Sequence, residues 1–249
     1  MGKILAYLLS LIYYLAFGSV LVIFHILQWI AFNGFGYQAH KSTVDLLNFF
    51  ILRCLNLLGT RIYFKNENKL PTDRSLVFVV NHQSTYDIPP IIWYLRKYHP
   101  KFISKKELGK GIPSVSFNLR HGGSVLIDRK KPKEALTLIH RFGKEIYHKK
   151  QSAVIFPEGT RSRDGHPKKF QKSGLITLFE SMPEALVVPI SVCNSWKFGR
   201  SNYFPMPLGV KLEVTVHPSL EINHNQPLDF IDTLEGYLHN EILRNQKQA

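Results

Sequence analysis

Two short polar stretches hold most of the chemistry this 249-residue chain can offer. The first, Asn81-His82-Gln83-Ser84-Thr85-Tyr86-Asp87, sets an imidazole and a carboxylate five residues apart. One backbone turn brings such a pair together, and the carboxylate then fixes the ring's tautomer and stabilises its protonated form. The other ring nitrogen is left to take a proton from a hydroxyl. A hydrolase triad also needs a serine, and the chain has no Gly-x-Ser-x-Gly elbow. A base without its own nucleophile activates a substrate hydroxyl directly, giving an ester or phosphodiester with no covalent enzyme intermediate. The second stretch is Pro157-Glu158-Gly159-Thr160-Arg161-Ser162. Its glycine lets backbone N–H groups approach a ligand, and Arg161 can hold a phosphate through two parallel hydrogen bonds. Glu158 can orient that arginine or a substrate hydroxyl. Lys105 and Arg129 are further cations positioned to join, whereas Lys130-Lys131 and Lys168-Lys169 read as solvated surface.

Both stretches directly follow runs that read as buried strands. Leu76 to Val80 is short, apolar and β-branched, and Ala153 to Phe156 is similar. Further strands are expected at Lys101 to Ser104, Gly123 to Ile127, Leu186 to Val192 and Lys211 to His217. Helical patterns at Pro89 to Tyr98, Pro132 to Lys149 and Leu175 to Glu180 lie between them. This alternation predicts an α/β fold, a mixed and largely parallel sheet flanked by helices. In such sheets ligands bind beyond the carboxyl ends of the strands, where both polar stretches fall.

The charge pattern divides the chain. Ile4 to Ala39 contains no Asp, Glu, Lys or Arg over 36 residues. That exceeds the ~20 apolar residues needed to cross a bilayer. Tyr7, Tyr13, Tyr14 and Trp29 near its ends suit interfacial anchoring. The run is too long for a signal-peptide core and lacks a small-x-small cleavage site, so a retained anchor is expected. A second apolar block, Val44 to Leu58, reads as a helix capped by Ser42 or Thr43 and closed by Gly59. It either lies at the interface or leans on the first helix. Residues 1–58 are thus read as a helical membrane-binding element and residues 59–249 as the α/β domain. The formal net charge is +14, and residues 101–172 hold 18 Lys/Arg against 6 Asp/Glu. Such a body suits anionic lipid or a phosphorylated substrate. Its basic residues lack the interleaved aromatics of a nucleic-acid platform, so no nucleic-acid partner is expected. Two cysteines, Cys54 and Cys193, exclude a disulfide framework, a four-cysteine zinc site and a CxxC pair, and suit a reducing compartment. The His, Cys and Asp spacing offers no metal-ligand set.

Four blocks together resemble the glycerolipid acyltransferases, closest in size and layout to the bacterial-type 1-acyl-sn-glycerol-3-phosphate acyltransferases. They are Asn81-His82-x4-Asp87, Gly123-Ser124-Val125-Leu126-Ile127-Asp128-Arg129, Phe156-Pro157-Glu158-Gly159-Thr160-Arg161-Ser162 and Val187-Val188-Pro189-Ile190. The resemblance runs from about Leu76 to Val192. It implies acyl transfer from acyl-CoA or acyl carrier protein to the sn-2 hydroxyl of lysophosphatidic acid. His82 would be the general base and Asp87 its partner. Arg129, Glu158, Gly159, Thr160 and Arg161 would contact the acceptor, with Lys105 a further candidate. The membrane-attached N-terminus also fits the family, a bacterial inner membrane is the expected setting, and the basic body and reduced cysteines favour its cytoplasmic face for the catalytic domain. No cofactor is implied beyond the acyl donor as co-substrate, and no oligomeric state. Another lysophospholipid or an aminolipid is the alternative acceptor. One segment departs from the pattern: after Ile112-Pro113 the chain reads Ser114-Val115-Ser116-Phe117, where the family usually has aromatics and a glycine. That segment is expected near the apolar pocket.

Overall fold

A computed structural model describes residues 2–247. The chain opens with α1 (Gly2–Ile30), a π-helical turn (Ala31–Phe35) and α2 (Gly36–Asn56). Gly36 has φ +79°, a conformation L side chains rarely adopt, and here the second helix departs from the first. The two helices fold back on each other, so that Leu21 and Phe24 meet Leu47 and Ile51. α2 therefore starts earlier than the expected cap at Ser42 or Thr43. Both hydroxyls instead bond back to carbonyls of the preceding turn, of Gln38 and His40. The described chain has one stretch of helix long and apolar enough to cross a membrane, Gly2–Asn56, which contains this hairpin. One face of α1 is open along its whole length, with Ile4, Leu8, Leu11, Leu15, Ile26 and Trp29 all exposed. An open apolar face of this length marks a surface for a membrane or another apolar partner.

The body is built on eight strands: β1 (Arg61–Lys65), β2 (Leu76–Val80), β3 (Pro100–Lys105), β4 (Val125–Ile127), β5 (Ser152–Ile155), β6 (Leu186–Cys193), β7 (Lys211–Val216) and β8 (Leu220–Glu221). Their order is β1-β7-β6-β2-β5-β3-β4, with β8 also on β6. β2 pairs in parallel with both β5 and β6, and β3 pairs in parallel with β5 and β4. Only β7 and β8 meet β6 antiparallel. The sheet is mixed and mostly parallel, as its strand–helix alternation requires. α3 (Ile88–Tyr94), α4 (Val115–His121), α5 (Pro132–His148), α6 (Lys172–Ser181) and α7 (Pro227–Lys247) complete the fold.

Side-chain alternation decides the layers. In β2, Val77 and Val79 face a core shared with Ile139 and Phe142 of α5, Leu175 and Leu178 of α6, and Leu234 and Leu238 of α7. Leu76, Phe78 and Val80 face the other way, against Ile91 and Ile92 of α3 and Val44 of α2. With both faces covered, every β2 residue is buried, which explains its unbroken apolar run. A third cluster joins Tyr13, Leu52 and Leu55 of the helical hairpin to Tyr86, Phe198, Met206 and Val210 of the body. The hairpin is thus packed against the polar segment that follows β2.

Candidate active site

The backbone of β2 delivers Asn81 and His82 at its carboxyl end, and a short 3-10 turn, Thr85–Asp87, returns Asp87 to the ring. Ser84 caps that turn: its hydroxyl accepts the Tyr86 N–H, while Asp87 accepts the N–H of Ser84. The His82 Nδ1 to Asp87 Oδ2 distance is 2.8 Å. A carboxylate offers only acceptors, so Nδ1 donates, and in the neutral ring the lone pair is on Nε2. The same Oδ2 also accepts the N–H of Gln83 at 2.8 Å and of Ser84 at 2.9 Å. Oδ1 accepts the hydroxyl of Ser195. Asp87 is fully buried, while the His82 side chain keeps 16% of its surface open. That remaining exposure is what a proton-accepting ring needs to meet a ligand. The ring stacks on Phe156, centroid to centroid 4.2 Å. Asn81 bonds both ways to the backbone of Val192 on β6, locking the strand end.

The loop after β5 closes on the same histidine. Glu158 Oε1 accepts the His82 N–H at 3.2 Å, and the His82 carbonyl accepts the Ser162 N–H at 2.7 Å. Gly159 turns the loop with φ +69°, where a side chain would be strained. Arg129 Nη1 donates to the Gly159 carbonyl, which joins the end of β4 to this loop. Lys168 Nζ donates to the Arg161 carbonyl at 2.8 Å, so one of the lysines read as plain surface supports the loop.

Glu158 does not orient Arg161, contrary to one sequence expectation. Its carboxylate turns inward to His82, and Arg161 Nη1 donates instead to the Tyr203 hydroxyl at 2.9 Å. Glu158 Oε2 is buried without a hydrogen-bond partner among the described residues. Burial pushes this carboxyl up to about 8, and the nearby Asp87 adds to the effect. Burial thus favours the protonated form of Glu158.

A groove of about 430 Å3 opens beside the loop. Arg129, Phe156, Glu158, Gly159 and Thr160 form one part of its wall, and Ile127, Ala135, Leu136, Ile139 and Ile155 an apolar part. Lys105 stands at the end of β3, opposite Ile127, exposed and off this wall. The Ser114–Phe117 segment is also elsewhere. Ser114 bonds to His25 and to the Leu21 carbonyl, and Phe117 packs on His25, so the segment leans on α1 rather than on the groove.

The sequence reading omitted Ser195, Phe156 as the ring's platform, and Tyr203. Ser195 lies two residues beyond β6, where the strand-end rule points. Tyr203 carries no such signal; only the fold brings it to Arg161.

The family model described as Acyltransferase matches residues 61–193, which include both polar loops. A 1-acyl-sn-glycerol-3-phosphate acyltransferase of Helicobacter pylori is 37% identical over 128 residues, half of this chain and 51% of that protein. One from Limnanthes douglasii is 26% identical over 176 residues, 70% of this chain and 60% of that protein. The chain spans about half the length of the curated relatives it matches. The crystal structure titled as the 1-acyl-sn-glycerophosphate acyltransferase PlsC of Thermotoga maritima superposes with a TM-score of 0.81. It covers 99% of this chain and 98% of its own at 21% identity, a likeness of fold. Because the family match takes in more than half of its length, the chain belongs to the Acyltransferase family.

Proposed function

We propose that the protein transfers a fatty acyl group from a thioester, acyl-CoA or acyl carrier protein, to the sn-2 hydroxyl of 1-acyl-sn-glycerol 3-phosphate, giving phosphatidic acid. The observation that carries this reading is the His82–Asp87 pair, 2.8 Å apart, at the mouth of β2 and clasped by the Glu158–Ser162 loop. Nε2 of His82 takes the hydroxyl proton as the oxygen attacks the thioester carbonyl. Asp87 holds the ring and stabilises the imidazolium that forms. The C–S bond breaks, and the departing thiolate takes the proton back from His82. Arg161, in no ion pair among the described residues, and Arg129 provide cations for the acceptor's phosphate. The apolar wall beside Arg129 suits a fatty chain. A thioester is already activated and arginines can neutralise the phosphate, so the chemistry calls for no metal or prosthetic group.

The purified full chain is expected to make phosphatidic acid from lysophosphatidate with at least one of the two donors. Acylation of other lysophospholipids or of aminolipids, with none of lysophosphatidate, would contradict the acceptor assignment.

Residues 1–58 act in this reading as the membrane anchor, and the basic body with its reduced cysteines faces the cytoplasm, at the inner membrane of a bacterial cell. Leu8→Asp, Leu11→Asp and Leu15→Asp together change exposed positions of α1 only. They are expected to cut liposome flotation at least tenfold, since a charge at bilayer depth costs ~2.5–3.5 kcal/mol. Unchanged flotation would contradict the anchor.

A further inference from the structure

Arg161 is anchored in an unusual way for a surface-loop cation. Its partner is a phenol hydroxyl rather than a carboxylate, so its direction is fixed while it stands in no ion pair among the described residues. The phenol belongs to Tyr203, 42 residues away in the chain. Tyr203 sits in a conspicuously unfavourable backbone: Ser201, Asn202 and Tyr203 have φ of 52°, 50° and 68° in succession. Non-glycine residues enter this region at a cost, and three in a row persist only where surrounding contacts impose them. The contacts here come from α1. The Tyr14 hydroxyl donates to the Tyr203 carbonyl at 2.5 Å, and Ser10 Oγ accepts the Met206 N–H at 2.8 Å. Tyr7 stacks edge-on with Phe204, at 5.5 Å.

From this chain of contacts we infer that Tyr203 is a positioning residue for the acceptor's phosphate monoester. Its phenol aims Arg161, and α1 holds Tyr203 in place through Tyr14. The helix that meets the membrane and the cation that grips the lipid headgroup form one mechanical unit. The inference rests on Arg161 as the phosphate contact in the proposed acyl transfer.

The test uses the full chain in mixed micelles. Tyr203→Phe keeps the ring and the backbone bond from Tyr14, and removes only the hydroxyl. The KM for lysophosphatidate is expected to rise about five- to tenfold, less than for loss of Arg161 itself because the guanidinium remains and only its direction is freed, with kcat within about twofold. Tyr14→Phe is expected to raise the same KM about threefold. In Arg161→Ala/Tyr203→Phe the second change is expected to add nothing to the first, because both act on one contact. Turnover of 1-monoacylglycerol, which has no phosphate, is expected not to respond to Tyr203→Phe. Calorimetric titration of the chain with lysophosphatidate reads the same shift in Kd without turnover. Unchanged KM and Kd in Tyr203→Phe, or full additivity in the double variant, would overturn the inference. An unchanged KM and Kd in Arg161→Ala would instead remove the phosphate contact on which it rests.

Discussion

The loops after β2 and β5 leave the sheet side by side, yet they treat their polar atoms in opposite ways. In the first, Asp87 is fully buried and accepts from His82, Gln83, Ser84 and Ser195. Little of its hydrogen-bonding capacity is left, so the His82–Asp87 geometry is set before any ligand arrives. In the second, Glu158 Oε2 has no partner among the described residues, Thr160 is exposed, and Arg161 is held by a phenol hydroxyl. That loop keeps donors and charge in reserve. The contrast matches a division of labour in which one loop moves a proton, a step that gains from preorganisation, and the other receives an anion. The two are not independent, because Glu158 and Ser162 bracket the His82 backbone.

Three substitutions probe this division, in falling order of effect. Asp87→Asn puts an amide N–H against donors, losing the acceptor that fixes His82. A fall in kcat of at least ~100-fold is expected, the usual scale for disabling acid–base catalysis. Thermal unfolding should show a loss of ~1–3 kcal/mol, as for other buried donors left without an acceptor. Near-normal kcat would mean the first loop is only structural. Arg161→Ala touches the second loop alone. The KM for lysophosphatidate should rise about 10–100-fold, equivalent to ~1.5–3 kcal/mol of charged hydrogen bonding, with kcat changed far less. A loss confined to kcat would erase the distinction between the loops.

Glu158→Gln has the smallest expected effect on acyl transfer and is read instead in stability against pH. Glu158 ionises near its ordinary 4.5 in the unfolded chain but only at about 8 when folded. The folded state therefore binds the extra proton between these values, and stability falls as pH rises through that window. Glutamine keeps an acceptor for the His82 N–H and has no proton to lose. The melting temperature of Glu158→Gln should gain on the unaltered chain as pH goes from 5 to 8.5. Parallel curves would show that Glu158 ionises normally.

Much of this arrangement could be read from the chain before folding. β2, β5 and β6 announce themselves because strands covered on both faces must be apolar throughout. His82 and Asp87 are close in sequence, so a single turn suffices to pair them. β1 was not anticipated: as a half-exposed edge strand it turns only Ile62 and Phe64 inward. α7 was not anticipated either, although Ile231, Leu234, Leu238 and Ile242 recur at helical spacing and are all buried. The option that Glu158 orients Arg161, open beside a substrate hydroxyl, fails for another reason. Adjacency on a short loop suggested that they meet each other, but the loop turns at Gly159 and sends one side chain inward to His82 and the other toward Tyr203. Contacts across 76 and 42 residues, such as these, depend on the assembled sheet and hairpin and leave no local mark.

The central claim is that His82, held by Asp87, removes the proton from a lipid hydroxyl. The most direct measurement is the rate of acyl transfer to lysophosphatidate by His82→Ala, with circular dichroism establishing that the fold is kept. The account predicts a loss of at least ~100-fold in kcat with an unaltered spectrum. A folded His82→Ala protein that transfers at the unaltered rate would contradict it.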